Sequence, residues 1–255
     1  MNRIFPSLAG RTFIITGASS GIGRATAVEL GLHGAQVVVV GRQRERVDET
    51  CRLVRAQNPE AQTLGICADV RRWPDMEAMA VQTLDHFGTI DGLITSAGTS
   101  GTQAQTRGVP FATVQLPLEE WDEVIDTNLT GTILSIRAVL PAMIEQEEGD
   151  IILVSSARGA RRGEPYAPAY CASKHGIMAL SASLEKELEE HGIRIQTLLP
   201  DVVDTPMLQL AKHLAPQGTL KPEAVGRLIA ELVSLPQDAV WREPLLTPRL
   251  PVAAR

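Results

Sequence analysis

The residues best suited to acid–base chemistry are a tyrosine and a lysine four positions apart, Tyr170 and Lys174, in a segment of helical pattern. Residues at i and i+4 lie on one face of a helix. A phenol with an ordinary pKa of about 10 keeps its proton at neutral pH. A neighbouring ammonium group favours the phenolate and lowers that pKa. We therefore expect Tyr170 to exchange a proton with a bound ligand, although two surface residues of one helix would give the same pattern.

Three further polar side chains are candidates for the same site. Ser155 and Ser156 directly follow a buried apolar run, Asp150–Val154. A hydroxyl at the end of a strand can hydrogen-bond a substrate oxygen on which charge develops. Asn128 lies in a helical stretch, where asparagine has no propensity advantage. It is either catalytic or a satisfied buried amide.

The turn between the first strand and the first helix, Thr16–Gly23, is rich in glycine and serine. Glycines let the backbone approach a ligand without a Cβ collision, and a helix N-terminus presents N–H groups that suit a pyrophosphate. The Gly-x-x-x-Gly-x-Gly spacing predicts a dinucleotide-binding turn rather than a plain glycine-rich turn because it lies between a strand and a helix. The predicted contacts are Gly17, Ser19, Ser20, Gly21, Ile22 and Gly23.

The end of the second strand indicates which dinucleotide is bound. Many NAD enzymes carry an acidic residue there for the ribose 2′-hydroxyl, whereas an arginine accommodates a 2′-phosphate. Here the acid is absent and Arg42 follows Gly41, and a guanidinium suits a phosphate. We expect NADP(H) to be preferred over NAD(H), unless Arg42 is only an exposed charge. Asp69, after the third strand, either accepts from the adenine amino group or caps the next turn.

Strands and helices alternate along the chain and must position these residues. Strands are predicted at Thr12–Thr16, Gln36–Val40, Ala61–Cys67, Gly92–Thr95, Asp150–Val154, Arg194–Leu199 and Trp241–Leu246. Helices are predicted at Gly21–His33, Arg44–Gln57, Asp75–Phe87, Glu119–Glu147 (kinked at Pro141), Pro168–His191 and Glu223–Leu235. This alternation predicts an α/β fold, a single-domain doubly wound parallel sheet of Rossmann type with helices on both faces.

At this point the sequence resembles the classical short-chain dehydrogenase/reductase family, from about Gly10 to Pro206. The matching motifs are Thr16–Gly23, Asp69-Val70, Ser96-Ala97-Gly98, Asn128, Ser156, Tyr170-x-x-x-Lys174 and Pro200–Thr205. The resemblance implies a catalytic tetrad of Asn128, Ser156, Tyr170 and Lys174. Within it, Ser156 is favoured over Ser155 because Gly159 follows Ser156 by three residues, as the family pattern asks.

The resemblance also implies further contacts. Lys174 would bond the nicotinamide ribose, and Asn128 would hold a water that links Lys174 to solvent. Family members are usually dimers or tetramers that associate through long helices, here Glu119–Glu147 and Pro168–His191. The cofactor contacts that it adds are Asp69, Val70, Ser96, Ala97, Gly98, Tyr170, Lys174, Pro200, Val203 and Thr205.

The chain departs from the family pattern in four places. Thr95-Ser96 replaces an Asn-Asn pair, which we expect to change stability rather than function, and the usual glycine-rich C-terminal ending is missing. Tyr170 follows Ser156 by fourteen residues rather than the usual thirteen, which places an extra residue within Ala160–Ala169. Asp201 replaces the usual glycine, and its carboxylate would either weaken cofactor binding or serve a particular substrate.

Length and composition fit one globular domain. Of 255 residues, 44% are hydrophobic, and the formal net charge of −6 gives no general attraction for nucleic acid or anionic membranes. Residues 10–206 would form the core, 204–222 a lid over the substrate, and 236–255 a C-terminal strand and tail. The three cysteines fit neither disulfide nor metal spacing. We see no signal peptide and no window of membrane-spanning length, so we expect a cytoplasmic protein without a metal.

Together these features predict an NADP(H)-dependent oxidoreductase that moves a hydride between nicotinamide and a carbonyl or alcohol carbon. The substrate would be a small or medium apolar molecule: a ketone, a ketoacyl thioester or a steroid-like compound. Lid residues Met207, Leu208, Leu210 and Leu214 would cover it, or simply form an amphipathic helix. The alternatives are a nucleotide-sensing binding protein without turnover and a sugar-nucleotide epimerase or dehydratase, for which little chain follows Thr205. Substrate identity, stereochemistry and physiological direction are not determined by the sequence.

Overall fold

The computed structural model describes residues 7–101, 112–209 and 218–248, and in them seven parallel strands form one sheet of order β3-β2-β1-β4-β5-β6-β7. The strands are β1 Thr12–Thr16, β2 Gln36–Gly41, β3 Thr63–Cys67, β4 Gly92–Thr95, β5 Gly149–Val154, β6 Ile193–Pro200 and β7 Leu245–Leu246. The predicted doubly wound sheet is confirmed. Its order reverses between β1 and β4, and such sheets bind ligands at this point, beyond the carboxyl ends of the strands.

Helices cover both faces of the sheet. They are α1 Gly21–Leu32, α2 Arg44–Gln57, α3 Trp73–Phe87, α4 Leu118–Ile125, α5 Gly131–Gln146, α6 Pro168–Glu189, α7 Pro206–Gln209 and α8 Pro222–Val233. The valines of β2 alternate between the two cores: Val37 and Val39 pack on the side of α1, α2 and α8, whereas Val38 and Val40 pack on the side of α3, α5 and α6. Burial on both faces is why β2 reads as an unbroken apolar run.

The predicted element boundaries hold to within two residues, except for the last strand. Only Leu245–Leu246 pairs with β6, rather than Trp241–Leu246. The Arg194 side chain donates to the carbonyl oxygens of Leu235, Pro236 and Ala239. These bonds hold the preceding chain as a loop, so the strand begins later than its apolar pattern suggests.

The long predicted helix is interrupted at its centre. Between α4 and α5, Asp126–Thr130 form a π-helical turn, and Pro141 lies inside α5. The run Leu118–Gln146 is long and apolar enough by composition to cross a membrane, and an 18-residue window within it has a mean hydropathy of 1.2. The prediction that no window reaches that length is therefore wrong. However, Ile136 and Val139 of this run are buried in the core, and the core helix of a soluble protein passes the same test.

Candidate active site

A cavity of about 750 Å³ runs along the carboxyl ends of the strands. Every residue predicted to contact a cofactor lines it, from the glycine-rich turn after β1 to the segment after β6. Ser156, Tyr170 and Lys174 also line it, whereas Asn128 does not and its neighbour Thr127 does. The fold thus brings one end suited to a nucleotide and one end suited to proton transfer into a single cleft. Of the lid residues, Met207 and Leu208 line the cavity, and Leu210 and Leu214 lie outside the described residues.

The glycine-rich turn leaves no room for side chains where it faces the cavity. Gly17 has a φ of +68°, and a Cβ there would lie 2.6 Å from the Cα of Ala97. A Cβ on Gly23 would lie 2.5 Å from Ser96 Oγ. Ser20, the residue before α1, caps the helix with no side-chain hydrogen bond, and no acidic residue occupies the first turn. The turn therefore fits the pyrophosphate of a dinucleotide through backbone N–H groups.

The substitution of the family's Asn-Asn pair preserves part of the local bracing. Ser96 Oγ donates to the carbonyl oxygen of Thr16 at 2.5 Å, which ties β4 to β1 beneath the turn. The buried hydroxyl of Thr95 has no hydrogen-bond partner within the described ranges. A buried polar group without a partner lowers the free energy of unfolding. We therefore expect threonine at position 95 to make the protein less stable.

The nucleotide end of the cavity carries two arginines, one of which the sequence pattern missed. Arg42 and Arg46 both line it, and neither forms an ion pair with another described residue. Arg46 lies in the first turn of α2, whereas Arg42 precedes the helix, and the signal available in the sequence was the cluster of arginines directly after the second strand. Gly41 packs tightly here, since a Cβ on it would lie 2.9 Å from Ser19 Cβ.

Asp69 is held by its neighbour Arg71. The Arg71 Nε donates to both carboxylate oxygens of Asp69, at 3.0 and 3.1 Å, and the backbone N–H of Arg71 donates to Oδ1. The hydrogen bonds from Arg71 hold the pKa of Asp69 below its ordinary value. Asp69 therefore caps the turn and still presents a charged carboxylate to the cavity, so the two alternatives are compatible.

The geometry at the catalytic end separates the two serines. Ser156 Oγ accepts a hydrogen bond from the N–H of Gly159 at 3.0 Å and lies near enough to the Tyr170 phenol to lower its pKa. Ser155 Oγ instead donates to the backbone carbonyl of Lys174 at 3.0 Å. Ser156 is thus the serine that lies beside the phenol. Gly159 is required there, because a Cβ on it would lie 2.8 Å from Tyr170 Cε1.

Burial decides the protonation of the tyrosine. Desolvation raises the pKa of Tyr170, and the hydrogen bond from Ser156 opposes that rise. The predicted lowering by Lys174 is not observed, because Lys174 Nζ donates to the carbonyl of Val154 at 2.8 Å and lies 5.8 Å from the centre of the Tyr170 ring. Burial lowers the pKa of Lys174 itself to about 8. At neutral pH the site therefore holds a protonated phenol beside a charged ammonium group.

Asn128 is fully buried in the π-helical turn and braces the site from behind. Its Nδ2 donates to the carbonyl of Thr99 and to Ser173 Oγ, both at 3.0 Å, and its Oδ1 accepts from the N–H of Thr99. These partners satisfy the amide. Asn128 links the chain after β4 to helix α6, which carries Tyr170 and Lys174. A π-helical turn is an uncommon insertion that is frequent at functional sites.

A second π-helical turn, Arg158–Arg162, lies between Ser156 and Tyr170. It overlaps the start of the segment Ala160–Ala169, in which the extra residue is predicted. Asp201, which stands where the family usually has glycine, forms ion pairs with both ends of this turn, Arg158 and Arg162. The ion pairs therefore connect Asp201 to the segment between Ser156 and Tyr170.

The fold and the site together define a Rossmann-type dehydrogenase with a serine, a tyrosine and a lysine at its reactive end. The model of the family described as short chain dehydrogenase matches residues 11–214, and the chain belongs to this family. It is an oxidoreductase acting on CH–OH or C=O groups with NAD(P).

Individual relatives extend over most of the chain. An uncharacterized oxidoreductase of Staphylococcus epidermidis is 37% identical over 77% of this chain and 79% of its own length. Levodione reductase of Leifsonia aquatica is 35% identical over 83% of this chain and 76% of its own length. The crystal structure of a metagenomic short-chain oxidoreductase in complex with NADP superposes with a TM-score of 0.80, at 30% identity, over 96% of this chain and 100% of the other.

Proposed function

We propose that this protein is an NADPH-dependent reductase of small or medium ketones. The observation that carries the proposal is that Ser156, Tyr170 and Lys174 line one cleft together with the glycine-rich turn. Arg42 and Arg46 at the nucleotide end favour a cofactor with a 2′-phosphate, since two guanidinium groups without an ion pair in the described part of the chain attract it. A relative that reduces levodione and a relative bound to NADP support the substrate class and the cofactor.

The chain's own residues account for the proton and for substrate orientation. Ser156 Oγ would donate to the carbonyl oxygen of the substrate and orient it toward Tyr170. Tyr170, protonated at neutral pH, would give its proton to that oxygen as charge develops on it. Lys174 would hold the nicotinamide ribose and place a positive charge near the phenol. When bound, the nicotinamide supplies the hydride. Because its pKa is raised, Tyr170 carries the proton that reduction of a carbonyl requires.

The remaining features of the proposal concern assembly and location. We propose a single domain that forms a dimer or tetramer through the run Leu118–Gln146 and helix α6. Ile133 and Ile144 of α5 are exposed apolar side chains that such an interface would cover. The three free cysteines fit the reducing cytoplasm. We also propose that Asn128 belongs to the catalytic tetrad. It does not line the cavity, and its role is to position the site through its hydrogen bonds to Thr99 and Ser173.

The direct test is a screen of ketones, diketones, ketoacyl thioesters and steroids, followed by the absorbance of NADPH and of NADH. We expect reduction with NADPH, and we expect Tyr170→Phe to lose about 10²–10⁴-fold in kcat while it keeps its affinity for NADPH. Wild-type protein that binds NADPH but turns over none of these carbonyl compounds would contradict the proposal. That result would favour the nucleotide-sensing alternative.

A further inference from the structure

The substrate side of the cavity carries a cluster of four charged residues, Arg158, Arg162, Glu164 and Asp201, which we call the charged wall. Arg158, Glu164 and Asp201 line the cavity directly. Their side chains are 29%, 24% and 9% exposed, whereas that of Arg162 is 61% exposed and lies at the outer edge. The charged wall is therefore part of the surface that a substrate meets.

Ion pairs hold the charged wall together. Arg158 Nη1 lies 3.1 Å from Glu164 Oε2, and Arg158 Nε lies 3.9 Å from Asp201 Oδ1. On the outer side, Arg162 Nη1 lies 3.4 Å from Asp201 Oδ2. Asp201 is fixed further by the N–H of Val202, which donates to its Oδ1 at 3.0 Å. Arg158 is thus held between two carboxylates with its position set by both.

The charged wall is coupled closely to the reacting groups. Arg158 follows Ser156 by two residues and precedes Gly159, whose backbone packs against the Tyr170 ring. The backbone N–H of Glu164 donates to the Sγ of Cys171, the residue after Tyr170, at 3.1 Å. Arg158, Ser156 and Tyr170 line the same cavity, so a substrate whose ketone oxygen lies at Ser156 and Tyr170 shares that cavity with Arg158.

The charges of the wall balance, and this balance decides which substrate chemistry fits. Two guanidinium groups face two carboxylates, so the wall as a whole is neutral and each charge already has a partner. A carboxylate on the substrate would add a third negative charge beside Glu164 and Asp201, and like charges placed close together repel each other. A purely hydrocarbon substrate would remove water from the wall and give it no hydrogen bond in return.

A neutral oxygen avoids both costs. A guanidinium has five N–H donors, so Arg158 can donate to a hydroxyl or carbonyl oxygen and keep its ion pairs. We infer that Arg158 is a specificity-determining residue, and that the charged wall selects neutral substrates with a second oxygen function over both hydrocarbon ketones and keto acids. The inference rests on the proposed reductase site and replaces the apolar substrate expected from the sequence.

The test measures binding rather than turnover, so that it does not depend on finding the natural substrate. Tyr170→Phe protein saturated with NADPH is titrated by calorimetry with cyclohexanone, 3-hydroxycyclohexanone, 3-oxocyclohexanecarboxylate and the methyl ester of that acid. We expect the hydroxyketone to bind about ten-fold or more tightly than cyclohexanone, as for a hydrogen bond to a charged group. We expect the carboxylate to bind more weakly than its methyl ester of nearly equal size.

Second substitutions in the same protein assign the effect to the charged wall. Arg158→Met should bring the hydroxyketone to the affinity of cyclohexanone. Glu164→Gln should free Arg158 and reverse the order of the carboxylate and its ester. Arg161→Met is the matched control, because Arg161 belongs to the same π-helical turn but pairs with Glu243 outside the cavity. Arg161→Met should change neither the preference for the hydroxyketone over cyclohexanone nor the preference for the methyl ester over the carboxylate.

Equal affinities for the four compounds, tightest binding of the carboxylate, or no binding of any of them would overturn the inference. The inference would also be overturned if Arg158→Met protein still bound the hydroxyketone more tightly than cyclohexanone. The reductase proposal is judged separately by wild-type turnover of the same compounds. If the protein binds the compounds in the expected order of affinity but reduces none of them, the inference stands and the reductase proposal is refuted. If it reduces them but binds all of them with equal affinity, the reductase proposal stands and the inference is refuted.

Discussion

At the scale of single residues, the two adjacent serines illustrate how position separates function from packing. Ser156 lies beside the Tyr170 phenol, whereas Ser155 donates to the backbone of α6 through Lys174. Both side chains are buried, so exposure alone would not distinguish them. Their hydrogen-bond partners do.

The first prediction therefore compares Ser156→Ala with Ser155→Ala. Loss of one donor to a developing oxyanion costs about 10²–10³-fold in kcat, and we expect a loss of this size for Ser156→Ala only. Ser155→Ala removes one buried hydrogen bond and should lower the free energy of unfolding by about 1 kcal/mol. Steady-state kinetics and urea unfolding of both variants check this. A larger loss of kcat in Ser155→Ala would show that the catalytic register is misassigned.

The second prediction concerns pH and follows from the lysine. Burial lowers the pKa of Lys174 to about 8, while burial raises the pKa of Tyr170, which stays protonated in that range. Below pH 8 the ammonium group is charged, and above it the charge is lost. We expect kcat/KM for reduction to be highest below about pH 8 and to fall as the pH rises through that value.

A pH profile of kcat/KM at saturating NADPH measures this fall. In Lys174→Met we expect a much lower rate and no fall at pH 8, since the titrating group is gone. A wild-type profile that stays flat from pH 7 to about pH 10 would mean that the lysine charge has no part in the reaction.

At the scale of secondary-structure elements, the junction of β2 and α2 forms the nucleotide end of the cleft. It supplies Arg42 from the end of the strand and Arg46 from the first turn of the helix. Gly41, directly before Arg42, packs against Ser19 of the glycine-rich turn. An acid introduced at Gly41 would therefore displace that turn and weaken both cofactors, so it cannot test preference between them.

The third prediction uses the arginines instead. We expect the wild type to bind NADPH more tightly than NADH, and Arg42→Ala and Arg46→Ala each to weaken NADPH binding by about ten-fold or more. Binding of NADH should hardly change, because the lost partner is the 2′-phosphate. Isothermal titration with both cofactors measures these ratios, with Arg44→Ala, on the same helix but away from the cavity, as the control. Tighter binding of NADH by the wild type would refute the assignment.

At the scale of the whole molecule, a buried ion network closes the end of the sheet opposite the cleft. Asp150 at the start of β5 is fully buried and accepts from Arg11 and from Arg194, each at 2.7 Å. Arg194 also donates to three backbone carbonyls of the segment after α8. The network thus ties the C-terminal segment and the chain before β1 to the centre of the sheet.

The fourth prediction is that Asp150→Asn lowers the free energy of unfolding by about 3–5 kcal/mol, because it leaves Arg194 buried without its counter-charge. Affinity for NADPH should stay unchanged in the folded fraction, since the network lies at the opposite end of the strands. Glu185→Gln breaks the exposed pair with Arg242 and should cost less than about 1 kcal/mol. Urea denaturation of the three proteins gives the comparison, and equal losses in both variants would contradict the role of Asp150.

The order of strands and helices along the chain, the parallel sheet and the glycine-rich turn of the cleft could all be predicted from the sequence, whereas Arg46 was missed. These predictions were possible because apolar periodicity and glycine spacing are local properties of the chain. The helix of Tyr170 and Lys174 and the turn from Thr16 to Gly23 were each predicted from a few consecutive residues. The sheet topology then necessarily brings their ends to one edge.

The protonation and the hydrogen-bond partners of those groups depend on the folded structure. The raised pKa of Tyr170 comes from desolvation, which depends on everything packed around the phenol and not on the lysine four residues away. Asn128 proved to be satisfied by Thr99 and Ser173, which lie far from it in the sequence. The pairing of Asp201 with Arg158 joins residues more than forty positions apart. Distance and dielectric environment are properties of the folded chain, and no pattern along the sequence encodes them residue by residue.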